Sequence, residues 1–205
     1  MTGTGRSSDM PEPFRTAVAS LTGLALRPEV TVREAPAPNR LAPYAVALTG
    51  EVPAEAGEAR DLASGRLVVL HDPDGQEGWD GTTRMVAYVR AGTDLEIAVD
   101  PLLPAVGWSW LVEALEARNA GYTAAGGTVT RVASERFGAL SDSSGAAEVE
   151  VRAAWTPLGD DLAPHSAAWT DVLCVAAGLP PRIPGVVNLS EGLRRGARLG
   201  GPRRR

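Results

Sequence analysis

The stretch Arg66–Val89, RLVVLHDPDGQEGWDGTTRMVAYV, carries the clearest pair of strands in this chain. Two short apolar runs, Arg66–Leu70 and Arg84–Val89, flank a polar segment from His71 to Thr83 that holds an Asp-Pro step and three glycines. That pattern predicts two antiparallel strands joined by a hairpin connector. Just beyond it, Leu95, Ile97 and Val99 alternate with Glu96 and Ala98, which predicts a further strand. Glu148–Trp155 alternates most cleanly: Val149, Val151, Ala153 and Trp155 fall on one side, Glu148, Glu150 and Arg152 on the other. A sheet with one wet face produces such a pattern.

Working outward, Glu29–Ala35 and Tyr44–Leu48 predict two more strands, separated by a connector stiffened by Pro36, Pro38 and Pro43. Gly126-Gly127 reads as a turn and Thr128–Phe137 as a strand. Pro53–Ala63 and Gly138–Gly145 are loops by composition.

Three helices complete the pattern. Asp9 and Pro11 suit a helix start, Phe14, Ala17, Val18 and Leu21 repeat at helical spacing, and Gly23 suits the end. Val106–Asn119 predicts a central helix with Trp108, Leu111, Val112 and Leu115 as its apolar stripe. Arg118 lies in its negative last turn, and Gly121 is placed to end it. Trp110 projects away from that stripe beside Ala114 and Ala117, as a second packing surface or a docking ring. Asp160 or Asp161 can cap a last helix with the stripe Trp169, Val172, Leu173 and Ala176, ended by Gly178 and Pro180-Pro181. Strands in runs, not alternating with helices, predict an α+β fold: a mainly antiparallel sheet with helices packed on one face.

Composition narrows the chemistry. At 205 residues with 44 % hydrophobic content, the chain has the size of one domain with one core. That domain is expected over 9–181, between a disordered N-terminus (1–8, with Met1 or Met10 as the start) and an Arg-rich disordered tail (182–205). All 20 basic residues are arginine, which excludes Schiff-base, P-loop and kinase-type lysines. The single Cys174 excludes an internal disulfide and a multi-cysteine zinc site, and it reads as a structural residue. After Pro181 seven arginines face only Glu191, a net +6, leaving −11 for the rest of a chain whose total is −5. No run approaches the roughly 20 apolar residues of a membrane span, so a cytoplasmic protein is expected.

The blocks RLAPYAVAL, LVVLHDPDGQEGWDG, RMVAYVRA, DPLLPAVGWSWLVEAL, GYTAAGGTVTR and AAWTPLGDDLAPHSAAWTDVLCVAAGLPP carry a resemblance. Taken in order, from about Pro11 to Pro181, the chain resembles an actinobacterial domain-of-unknown-function family, numbered three thousand. The resemblance implies an intracellular actinobacterial protein. It brings no catalytic or binding residue with it.

The chemistry-bearing residues gather in the connector: His71, Asp72, Asp74, Trp79 and Asp80, with Glu77 beside them. An oxygen-rich loop with glycines can bind a hard cation, but the spacing is not that of an EF-hand, and the same residues are ordinary turn formers. As a site, the loop would offer Trp79 as recognition ring and His71 with Asp80 as acid/base pair. His165 is expected to bond locally near Asp160 and Asp161. There is no G-x-S-x-G elbow and no G-x-G-x-x-G after a strand, and no metal or cofactor is expected. The expected function is therefore a non-enzymatic protein-interaction or accessory module, with an unknown protein partner, using His71, Asp72, Asp74, Trp79, Asp80 and Trp110 as its surface. One alternative is a small-molecule binder or enzyme at the His71–Thr83 loop. Another is a nucleic-acid factor whose tail arginines, Arg194, Arg195, Arg198, Arg203, Arg204 and Arg205, neutralise phosphates.

Overall fold

β3 (Ala63–His71) and β4 (Thr83–Thr93) pair antiparallel in continuous register from Ala63·Ala91 to His71·Thr83. The hairpin read from the sequence is thus present, with His71 and Thr83 as its last rungs and only 72–82 left as connector. In the computed structural model, which describes residues 10–21, 26–54, 61–138 and 146–181, this hairpin is the middle of a six-stranded sheet. β1 (Thr31–Ala35) and β2 (Tyr44–Val52) extend it on one side, β6 (Ala146–Pro157) and β5 (Tyr122–Ser134) on the other. The order is β1-β2-β3-β4-β6-β5, and every neighbouring pair is antiparallel. Asp9, Gly23, the ends 1–8 and 182–205, and most of the loops expected over 53–63 and 138–145 lie outside the described residues.

Alternation sorts the two faces as expected. Val149, Val151, Ala153 and Trp155 are buried with Leu67, Val69, Met85, Ala87 and Val89 in one core. Each of the larger side chains contributes about 1.5–3 kcal/mol of burial, and each alanine less than about 1 kcal/mol. Glu148, Glu150 and Arg152 stand on the back face with Tyr88 and Arg90, and pair among themselves: Arg90 with Glu148, Arg152 and Tyr88 with Glu150.

The core face is covered by α1 (Glu12–Ser20), α3 (Leu103–Ala117) and α4 (Ala163–Ala176). α4 is buried on almost every side, because it lies on β2, β3 and β4 and is flanked by α3. Its approach rests on a glycine pair, Gly50·Gly65. A Cβ at Gly65 would stand 2.5 Å from the Tyr88 carbonyl oxygen and 2.9 Å from Leu173 Cδ2. α4 is tied to α1 by the Leu162 N–H donating to Ser20 Oγ at 2.8 Å and Ser166 Oγ–H donating to the Leu21 carbonyl at 2.6 Å. Gly178, at φ 76°, ends it as expected, with the Leu179 N–H bonded to the Cys174 carbonyl.

Four readings are corrected. The expected strand at Leu95–Val99 is the short helix α2 (Leu95–Ala98): β4 carries the chain to the end of the sheet at Thr93, and it must turn there to enter α3. Five alternating residues hold too little periodicity to resist that demand. α3 begins at Leu103, not Val106, and buries Leu103, Gly107, Leu111 and Leu115. Trp108 and Val112 are only half-buried, since Gly107 lets the helix descend until a Cβ there would be 3.0 Å from Val129. The residue that ends α3 in the left-handed region is Asn119, φ 52°, with the Ala120 N–H bonded to the Leu115 carbonyl; Gly121 is not used. Finally, Gly126-Gly127 is strand rather than turn. A bulge between Thr123 and Gly126 absorbs the irregularity, and Gly127 must lack a side chain because a Cβ there would run into the Arg152 carbonyl oxygen and stand 2.8 Å from Trp108.

Candidate functional site

The connector residues are brought together in sequence but not onto one surface. His71, at the end of β3, points to the helical face. Its ring stacks on Phe14 at 4.8 Å between centroids and 11° between planes, and its Nδ1 is 3.0 Å from Thr83 Oγ1. Partial burial lowers its pKa against the opposing pull of Asp72, so the ring is neutral at pH 7. Asp72 serves the turn: Oδ1 accepts from the Asp74 N–H at 3.2 Å and Oδ2 from Gln76 Nε2 at 3.0 Å. Asp74 itself is exposed.

Trp79 folds back onto the other face of the sheet, where it packs on an apolar patch of Ala47, Val68 and Leu70. Its carbonyl accepts the Thr156 hydroxyl. Asp80, exposed and at φ 54°, acts electrostatically on Arg84, which also projects from the back face. His71 and Asp80 therefore lie on opposite faces of the hairpin and form no acid/base pair. A shallow concavity follows Asp74–Thr82, lined largely by glycines and exposed acids.

A structural network holds this loop that no sequence motif announces. Arg84 Nη1 donates to the Ala124 carbonyl at 2.8 Å, on the β5 bulge, and to Thr156 Oγ1 at 3.1 Å. Burial lowers the Arg84 pKa, and the contacts bind the connector to β5 and β6. Nothing in residue spacing joins Arg84, Ala124 and Thr156, which only the strand order brings together.

Trp110 lies elsewhere. It lines an open cleft of about 1080 Å³ at the other end of the sheet, where β3 and β6 begin and β4 ends. β3 alone separates that end from His71 by eight residue steps, on the order of 26 Å. The cleft's apolar lining includes Ile97, Leu103, Trp110 and Val175, with Asp61 and Asp94 at its rim and the Arg90–Glu148 pair, 2.6 Å at its closest, beside them. Trp110 reaches it because it leaves α3 on the flank opposite Trp108, toward the last turn of α4. Ile97 belongs to a stretch of chain that leaves large apolar side chains exposed: Leu95, Ile97, Val99, Leu102 and Val106 are 39, 47, 61, 66 and 44 % accessible. Sequence reasoning missed this stretch, because alternation turned Leu95–Val99 into a half-buried strand.

His165 is not bonded near Asp160 or Asp161. It is buried in the core, where its Nδ1 accepts the Trp155 Nε1–H at 3.1 Å, and burial pushes its pKa down to about 4. The proton therefore sits on Nε2. Neither Asp160 nor Asp161 is the cap of α4: Leu162 holds that position, and Asp161, one residue earlier, accepts the Ala163 N–H on Oδ1 at 3.0 Å. Cys174 is fully buried. Among the described residues no three His, Cys, Asp or Glu side chains could hold a metal ion together, and no helix is long and apolar enough to cross a membrane. The tail arginines lie outside the described residues.

No curated protein and no solved structure matches the chain. A family model does, over residues 10–187, which take in every block quoted above and well over half the chain. The chain therefore belongs to the family described as protein of unknown function, DUF3000.

Proposed function

We propose that this protein is a non-enzymatic interaction module, and that its docking surface is the cleft beside Trp110 together with the exposed side of α2 and the start of α3. The observation that carries this reading is the clustering of Leu95, Ile97, Val99, Leu102 and Val106, all exposed, within twelve residues of chain. Isolated exposed apolar residues are ordinary, whereas a contiguous group with a polar rim marks a binding surface. Trp110 adds an aromatic wall of the kind that anchors interfaces. Asp61 and Asp94 at the rim favour a partner that brings an apolar segment flanked by cationic side chains.

A photo-crosslinker placed at Ile97 in the full chain, compared with one at Glu77 in the connector, tests this in native lysate. A stoichiometric protein adduct at 97 alone, lost when Leu102→Glu or Trp110→Ala is added, is the expected result. Adducts only at 77, or none at either position, would reject the surface.

A further inference from the structure

The two edges of the sheet are built differently. β1 has five residues and carries Arg33 and Glu34, with Arg33 paired to Glu51 at 3.0 Å. β5 has thirteen residues, and from Ala125 to Ser134 all are exposed except the half-buried Val129. On its inner side β5 pairs with β6. Among the described residues nothing bonds to its outer row of N–H and C=O groups between Gly126 and Ser134. Natural edges are guarded by shortness, charge, proline or cover. The segment GGTVTRVAS has no proline and no carboxylate, and its one charge, Arg131, is turned inward to the carbonyls of Val99 and Asp100. The bulge protects only the other end of the strand.

We infer that β5 pairs antiparallel with β5 of a second copy about a two-fold axis at Thr130, joining two six-stranded sheets into one. The occupant of a strand edge has to be another extended strand, and a two-fold pair has to be complementary to itself. Opposed residues must share a face, so the axis falls on a residue. At Arg131 the guanidinium would meet its mate. At Val129 the pairing would run into the bulge at Ala124. At Thr130 all nine residues Gly126–Ser134 are used: Thr130 faces itself, Thr128 faces Val132, Val129 faces Arg131, Gly127 faces Ala133. No like charges meet, and on the back face β-branched residues stand opposite one another, a favourable cross-strand pairing. The axis also keeps both helical layers on one side, with Trp108, half-buried over Gly127, flanking the seam in each copy. This inference is independent of the cleft.

Sedimentation equilibrium of the full chain at about 10 μM, where a micromolar complex is well populated, should show a dimer. Thr130→Glu sets like charges against each other at the axis and should weaken the dimer at least about tenfold, with an unchanged circular dichroism spectrum. Val132→Glu should do the same, and adding Thr128→Arg should restore association, because the two substituted positions face each other across the axis. Thr130→Cys should form an intermolecular disulfide on mild oxidation, a clean readout because Cys174 is buried. A monomer at about 100 μM, or a dimer indifferent to Thr130→Glu that never crosslinks through position 130, would overturn the inference.

Discussion

Burial keeps the His165 imidazole neutral, with its pKa down at about 4, and this sets a pH dependence with a definite sign. Between pH 6.5 and 4 the unfolded chain binds a proton there that the folded chain refuses, so stability is full above pH 6.5 and falls as pH drops toward 4. The loss approaches about 3 kcal/mol. His71, also lowered by burial, acts in the same direction. Urea unfolding at pH 7 and pH 4.5 should show the decline, and His165→Gln, which can still accept from Trp155, should flatten it. Two further residues make steric predictions. Gly65→Ala would press a methyl on the Tyr88 carbonyl and Leu173, and should cost about 3 kcal/mol or more in denaturant titration. Asn119→Ala, forced to keep the left-handed φ of 52°, should cost about 1 kcal/mol by the same measurement.

At the scale of elements, α3 and α4 are coupled by the Arg118 fork on Asp171, with Nε at 2.6 Å and Nη2 at 2.9 Å. Both side chains are mostly buried, and the carboxylate raises the Arg118 pKa first of all by accepting these bonds. A double-mutant cycle with Arg118→Ala and Asp171→Ala should give a coupling of about 1–3 kcal/mol in equilibrium unfolding. The sequence reading placed Arg118 at the helix end for its interaction with the dipole, and it could not have named Asp171, 53 residues away. β6 was legible because alternation over the eight residues Glu148–Trp155 states a face outright, and the hairpin because two apolar runs bracket a segment of turn formers. α2 was not, since the five residues Leu95–Val99 satisfy two periods at once and only the need to turn out of β4 decides between them. The candidate site divided in the same way. Trp110 was read as projecting opposite Trp108, and it does line the cleft, but its neighbours there come from five other elements that no spacing rule links. The connector drew attention because its residues are chemically rich, yet Asp72 and Trp79 are occupied by a turn and a packing contact.

For the molecule as a whole, the central strands are paired on both sides and buried on the helical face, whereas β1 and β5 are paired once. Native-state hydrogen exchange should therefore show the slowest amides in β3, β4 and the middle of β6, with β1 faster by several orders of magnitude. The outer amides of β5 should be fast in a Thr130→Glu monomer and slow in the wild-type dimer, which links this measurement to the association state.

The placement of β6 between β4 and β5 also has a meaning in time. Seen from the ribosome, β1 through β4 can zip together hairpin by hairpin as they emerge, but the rung from Met85 to Trp155 must wait for seventy more residues. Until then β4 has a bare edge, and α3 and β5 have nothing between them and the growing sheet. Such long-range closure is the slow, exposed step of folding. The last of the described strands does not lengthen the sheet at an edge; it goes in between β4 and β5, and those two are joined only when β6 is inserted.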